Sequence, residues 1–145
     1  MLRKISVIWD IISTIENWPR YFFDYFNPFC KKFVVYKLRN GICYKTRSHT
    51  PDFGTILEIW KQKVYTNMEA LQIQPTDIVV DIGAHIGVFS IFAAVQAYKG
   101  VIYAFEPLNE NFNLLKENMH LNDVSNIIVF NKGVGKRKEQ RNIFV

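Results

Sequence analysis

Ile78-Val79-Val80-Asp81-Ile82-Gly83-Ala84-His85-Ile86-Gly87-Val88-Phe89-Ser90 is the stretch on which the reading of this chain turns. Four apolar residues surround one acid, two glycines follow four positions apart, and an apolar segment of helical length comes next. The pattern predicts a buried strand over 78–82, a tight glycine turn, and a helix over 87–98 whose N-terminus faces whatever the turn holds.

Working outward from it, the pattern continues as strand, helix, strand. Lys99-Gly100 ends the first helix, with glycine as the terminator. Val101–Phe105 is the next strand, Asn109 is the N-cap of a helix running to about 121, and Asn126–Phe130 is a third strand. Strands alternating with helices imply an α/β fold with a parallel sheet and right-handed crossovers. Lys136–Arg141 reads as a charged turn, and Asn142–Val145 as the start of another strand.

A glycine turn after the first strand lets backbone N–H groups approach a ligand and aims a helix N-terminus at it. In open parallel sheets the ligand crevice lies at the carboxyl ends of the strands. Glu106 ends the second strand, where a carboxylate accepts from both hydroxyls of a ribose. The dinucleotide fingerprint requires glycines at positions one, three and six, and these positions hold Gly83, His85 and Val88. The methyltransferase pattern, acid-x-Gly-x-Gly-x-Gly, fits better: it takes Asp81, Gly83 and Gly87, with His85 in place of the middle glycine.

Asp81-Ile82-Gly83-Ala84-His85-Ile86-Gly87, together with Tyr103-Ala104-Phe105-Glu106-Pro107 and the helix that follows, resembles the FkbM-type methyltransferases, which carry D-x-G-A-x-x-G and then F-E-P. The resemblance extends upstream through Leu38-Arg39-Asn40-Gly41, Asp52, Glu58 and Tyr65, so it spans about residues 33–145. It implies a Rossmann-like class I methyltransferase sheet that uses S-adenosyl-L-methionine to methylate a hydroxyl of a small-molecule, sugar or lipid-like acceptor. By the same resemblance Asp81, Gly83, Ala84 and Gly87 form the floor for the methionine part of the cofactor, with His85 in the same loop. Glu106 takes the ribose, Asn131 lies near the adenine, and Glu58 and Tyr65 are further cofactor contacts. The family continues with a K-I-D-x-E-G segment on a later strand, which these residues do not contain. The chain therefore reads as the amino-terminal part of such a fold: a fragment, a truncated product, or a chain completed by another.

Plainer readings stand beside these. Asp81 could cap the turn, the two glycines could serve packing alone, and Glu106 could be a solvated strand end. His85 could point into the site, carry a proton, or occupy left-handed backbone space. No catalytic base is identifiable, and His49 and His120 read as surface residues without evident partners. Glu58, Tyr65 and Asp52 could simply pack or solvate a helix.

Residues 1–74 form a separate helical and hairpin region ahead of the sheet domain at 75–145. Ile5, Ile8, Ile12 and Ile15 recur at helical spacing over 5–16, with Trp9 beside them. Such a helix either packs its stripe on the domain or lies at a lipid or partner interface. Asp10 and Glu16 and the shortness of the stripe favour packing. Pro19 and Pro28 break up the cluster Tyr21-Phe22-Phe23-Asp24-Tyr25-Phe26. Phe33–Leu38 and Ile42–Arg47 form a hairpin about Arg39-Asn40-Gly41, Ser48–Gly54 is a loop, and a helix over 55–65 ends near Thr66-Asn67.

The 145 residues carry a net charge of +5, with much of the excess near 31–47 and 132–141. No basic run is interleaved with aromatics in an RNA-binding motif, so no nucleic-acid partner is expected. Cys30 and Cys43 are too few for a disulfide framework or a zinc site, and no metal cluster is visible. Reduced thiols and the lack of a spanning apolar segment suggest a cytoplasmic protein. Two further functions stay open: an NAD-dependent oxidoreductase, which the missing third glycine disfavours, and a non-catalytic domain that binds a cofactor or partner. The sequence does not fix the oligomeric state.

Overall fold

The computed structural model describes residues 2–27, 29, 32–62, 72–137 and 139. The expected contact Tyr65, the cysteine Cys30, the end of the helix expected over 55–65 and the strand expected at 142–145 lie outside them, as does part of the charged turn at 136–141. The chain divides into two compact units. One is Met1–Ile73 with His120–Asp123, and the other is Gln74–Met119 with Val124–Val145.

The first unit holds α1 (Leu2–Thr14), α2 (Pro19–Phe26), β1 (Phe33–Lys37), β2 (Cys43–Arg47) and α3 (Asp52–Trp60). β1 and β2 pair antiparallel, with Val35 opposite Lys45 and Tyr36 opposite Tyr44. Alternation sends Val34, Tyr36, Tyr44 and Thr46 inward. Leu38 bridges Ile15, so the end of α1 is tied to the hairpin. Thr14 is the last residue of α1, and its stripe is not the expected one: Ile11 and Ile15 are buried, whereas Ile8 and Trp9 are exposed. The aromatic cluster is itself a helix. Pro19 opens it instead of breaking it, because the first turn has no use for the missing N–H.

α3 starts at Asp52, inside the expected loop. Arg47 explains this: its guanidinium donates to both oxygens of the buried Asp52, and its backbone N–H donates to Oδ2, which fixes an acid in the first helical turn. His49 has φ +57° and its Nε2 lies 3.3 Å from the Asn27 carbonyl, a partner the sequence did not reveal.

The second unit holds β3 (Ile78–Ile82), α4 (Val88–Gln96), β4 (Val101–Phe105), α5 (Asn109–Leu121) and β5 (Ile127–Phe130). The strands are parallel in the order β3-β4-β5. The order never reverses, so right-handed crossovers put both helices on one face. Ile102, Ala104 and Ile127 are buried beneath them, along with Ile86, Val88, Ile91 and Leu115.

β3 itself departs from the buried strand expected. Among the described residues it lies at the sheet edge, and Ile78, Val80 and Ile82 are exposed on the face that no described helix covers. Its near-continuous apolar run has the composition of a strand covered on both sides. Gly100 also serves a different purpose from the one expected. Its φ is not left-handed; a Cβ there would sit 2.0 Å from the Asp77 carbonyl oxygen, so glycine permits a close backbone approach at the start of β4.

Candidate functional site

Asp81 and Glu106 end adjacent parallel strands, at their carboxyl ends. Both are buried, at 8% and 4% exposure, so Glu106 is not a solvated strand end. Among the described residues neither forms an ion pair. Ser90, on the first turn of α4, donates its hydroxyl to Asp81 Oδ2. Glu106 Oε1 accepts the Leu108 N–H at 2.9 Å and the Asn111 amide at 3.4 Å, while Oε2 accepts the His85 N–H at 2.8 Å. A carboxylate offers about four acceptor positions, so capacity for a further donor remains.

Burial raises the Asp81 carboxyl above its ordinary value of 3.8, the Ser90 hydrogen bond lowers it, and the nearby Glu106 charge raises it again. The pair is thus a negative site in a poorly solvated place, with no lysine or arginine supplied by the described residues.

The turn between β3 and α4 is held from several sides. The Gly83 and Ala84 N–H groups both donate to the Phe105 carbonyl, at 2.9 and 3.0 Å, and the Gly87 N–H donates to Ala84 O at 2.8 Å. With His85 N–H on Glu106, four of the turn's backbone donors (Gly83, Ala84, His85 and Gly87) are bonded within the chain. Gly83 and Gly87 both have left-handed φ, +83° and +86°, but their surroundings differ. A Cβ at Gly83 would meet open space, whereas one at Gly87 would lie 2.9 Å from Leu115 Cγ of α5. Gly87 serves packing as well as the turn. His85 has φ +52°, so it takes the left-handed space that the middle glycine of the pattern would fill. Ala84 is buried below the turn.

Asn131 is exposed, and its side-chain amide donates to the Glu106 carbonyl at 3.0 Å, pinning the backbone that carries the carboxylate. Glu58 is exposed on α3 of the first unit. Asp52 is held by Arg47.

Sequence reasoning missed Ser90, Asn111 and Asn118. Asn118 is fully buried in α5 and donates to Ile86 O at 2.9 Å, tying the glycine turn to the second helix. The only sequence signal was spacing: Asn111 and Asn118 are seven apart on one helical face, next to Leu114 and Leu115.

Strand–turn–helix geometry, parallel order and paired terminal acids define the Rossmann-like class I methyltransferase fold. Residues 60–142 match the TRM5/TYW2 methyltransferase domain, more than half of the chain, and the chain belongs to that family. A Pyrococcus horikoshii TYW2 structure in complex with MeSAdo is 27% identical with a TM-score of 0.57, over 72% of this chain and 37% of that one. M. jannaschii TYW2 in complex with AdoMet shares the fold at 22% identity and a TM-score of 0.51, over 69% of this chain and 43% of its own. The 31-O-demethyl-FK506 methyltransferase FkbM of Streptomyces tacrolimicus is 34% identical over 61 residues, 42% of this chain and 23% of FkbM. The chain thus spans less than half the length of each of these relatives. No described helix is long and apolar enough to cross a membrane.

Proposed function

We propose that the Asp81–Glu106 site binds S-adenosyl-L-methionine and that the protein containing it transfers a methyl group to a hydroxyl of a small-molecule, sugar or lipid-like acceptor. The observation that carries the reading is the chemistry of the donor set. Two buried carboxylates, without a cationic partner among the described residues, stand beside a glycine turn at the carboxyl ends of adjacent parallel strands. Such a site takes a ligand with positive charge and hydroxyls, and disfavours the pyrophosphate of a dinucleotide, whose negative charge two poorly solvated carboxylates repel. Bound there, the cofactor would supply an electrophilic methyl on a sulfonium.

The chain's own residues hold and orient. Asp81 stabilises the ligand's positive charge, the remaining acceptor capacity of Glu106 takes hydroxyl donors, and Gly83 leaves its side of the turn open. Ala84, His85 and Gly87 shape the loop, and Asn131 fixes the backbone of Glu106. Contacts from Glu58 and Tyr65 belong to the same proposal. In such a reaction the protein contributes mainly positioning and a favourable field.

The FkbM-type motifs and the partial FkbM match support a hydroxyl acceptor. A nucleic-acid acceptor is the second reading, favoured by the net charge of +5. Titration calorimetry of the chain with S-adenosylhomocysteine and, separately, NADH tests the cofactor. Binding of the first and none of the second is expected; tight NADH binding alone would overturn the reading. Labelled S-adenosylmethionine offered with hydroxylated small molecules and with RNA then separates the acceptors.

A further inference from the structure

α2 is amphipathic in the unusual sense. Its buried residue is the acid, Asp24, which accepts a hydrogen bond from the Tyr36 hydroxyl at 3.2 Å. Three of its five rings face outward, Phe23 at 66% exposure, Tyr25 at 63% and Phe26 at 75%, while Tyr21 and Phe22 are half-buried and Tyr21 packs on Phe53. Arg20, Phe23 and Phe26 recur every third residue along one side of the helix, and Phe29, 93% exposed, continues the spacing past its end. An ordinary surface helix would turn its acid to water and its rings to the core.

The consequence is electrostatic as well as apolar. Asp24 is the only acid between residues 17 and 47, a segment rich in lysine and arginine, and burying it leaves the outer face of α2 without negative charge. Arg20 and Lys32 are exposed and lie before and after the exposed phenylalanines in the sequence, and Ile8 and Trp9 of α1 are exposed in the same unit. No described helix is long and apolar enough to span a bilayer. A short helix with outward rings and flanking cations suits the boundary between headgroups and acyl chains of an anionic membrane.

We infer that α2 and Phe29 form a docking surface for an anionic phospholipid bilayer. The rings enter the interface and the cations meet the headgroups. The positive surplus selects anionic lipid over a neutral partner.

Flotation of the full chain with vesicles of equimolar phosphatidylserine and phosphatidylcholine, against phosphatidylcholine alone, tests this. Binding to the anionic vesicles, weakened by added salt, is expected. Phe23→Ser with Phe26→Ser should lower the partition coefficient about tenfold or more. Phe29→Ser, outside the helix, should weaken it independently, and circular dichroism checks that each variant is folded. Tyr98→Ser, at an exposed ring of the other unit, should leave binding unchanged. Equal binding to both vesicle types, no flotation, or full binding by the phenylalanine variants would overturn the inference. So would displacement of the vesicles by a single-stranded oligonucleotide, or a chain that dimerises through this face without floating.

Discussion

Asp81 is the residue at which stability and the proposed cofactor binding pull apart. Its carboxyl titrates above the ordinary value because burial disfavours the charge, against the Ser90 hydroxyl and with the Glu106 charge. A carboxyl raised in the folded state favours folding most below its unfolded value and loses that contribution as pH rises through the folded pKa. Ionised Asp81 is therefore a cost to the ligand-free fold at neutral pH, and a bound cation offsets it. Asp81→Asn should leave neutral-pH stability unchanged or higher, and flatten its decline above about pH 4 in urea melts across a pH series. The same variant should lose about tenfold or more in S-adenosylhomocysteine affinity by calorimetry. Reduced stability together with unchanged affinity would assign Asp81 to the turn alone. The acids and glycines of the site were legible in sequence because their types and spacing are local. Ser90, Asn111 and Asn118 were not, since a polar residue within an apolar helix declares its partner only once a second element packs against it.

At the scale of the element, the β3–turn–α4 unit sets two glycines in the same backbone region for different reasons. Gly87 has a left-handed φ and meets Leu115 of α5; Gly83 has the same φ and open space. Gly83→Ala should cost about 1 kcal/mol of backbone strain. Gly87→Ala should cost roughly 2–3 kcal/mol, because the Leu115 side chain must also shift. Urea denaturation of the two variants checks the difference, and equal losses would remove the packing role of Gly87. β3, β4 and α5 fall where the periodicity put them. α2 and the start of α3 do not, because a proline at a first turn and a salt bridge from Arg47 to Asp52 override the reading of prolines and polar residues as breaks.

At the scale of the whole molecule, the parallel sheet of the second unit carries helices on one face only among the described residues. Ile78, Val80 and Ile82 of β3 and Ile128 of β5 remain exposed on the other. Apolar patches of this kind associate. The chain should therefore self-associate with rising concentration in sedimentation velocity runs. Val80→Lys, which places a charge on that face, should weaken association about tenfold while changing stability by less than about 1 kcal/mol. Unaltered association would show that the sheet face is not the contact. Each unit keeps its own core: Ile11, Ile15, Tyr36 and Tyr44 in one, Ile86, Ile91, Ile102 and Leu115 in the other.

The sequence by itself determined the α/β succession, the parallel sheet and the acid–glycine turn, because hydrophobic period and turn chemistry act over a few neighbouring residues. The tertiary structure alone decided which face of the sheet is covered, since that depends on strand order and crossover handedness. It also decided that the Gly83, Ala84 and His85 N–H groups go to Phe105 and Glu106, and that the acid of α2 points inward while Phe23 and Phe26 point out. Each of these outcomes is set by a partner more than ten residues away, which no local pattern records.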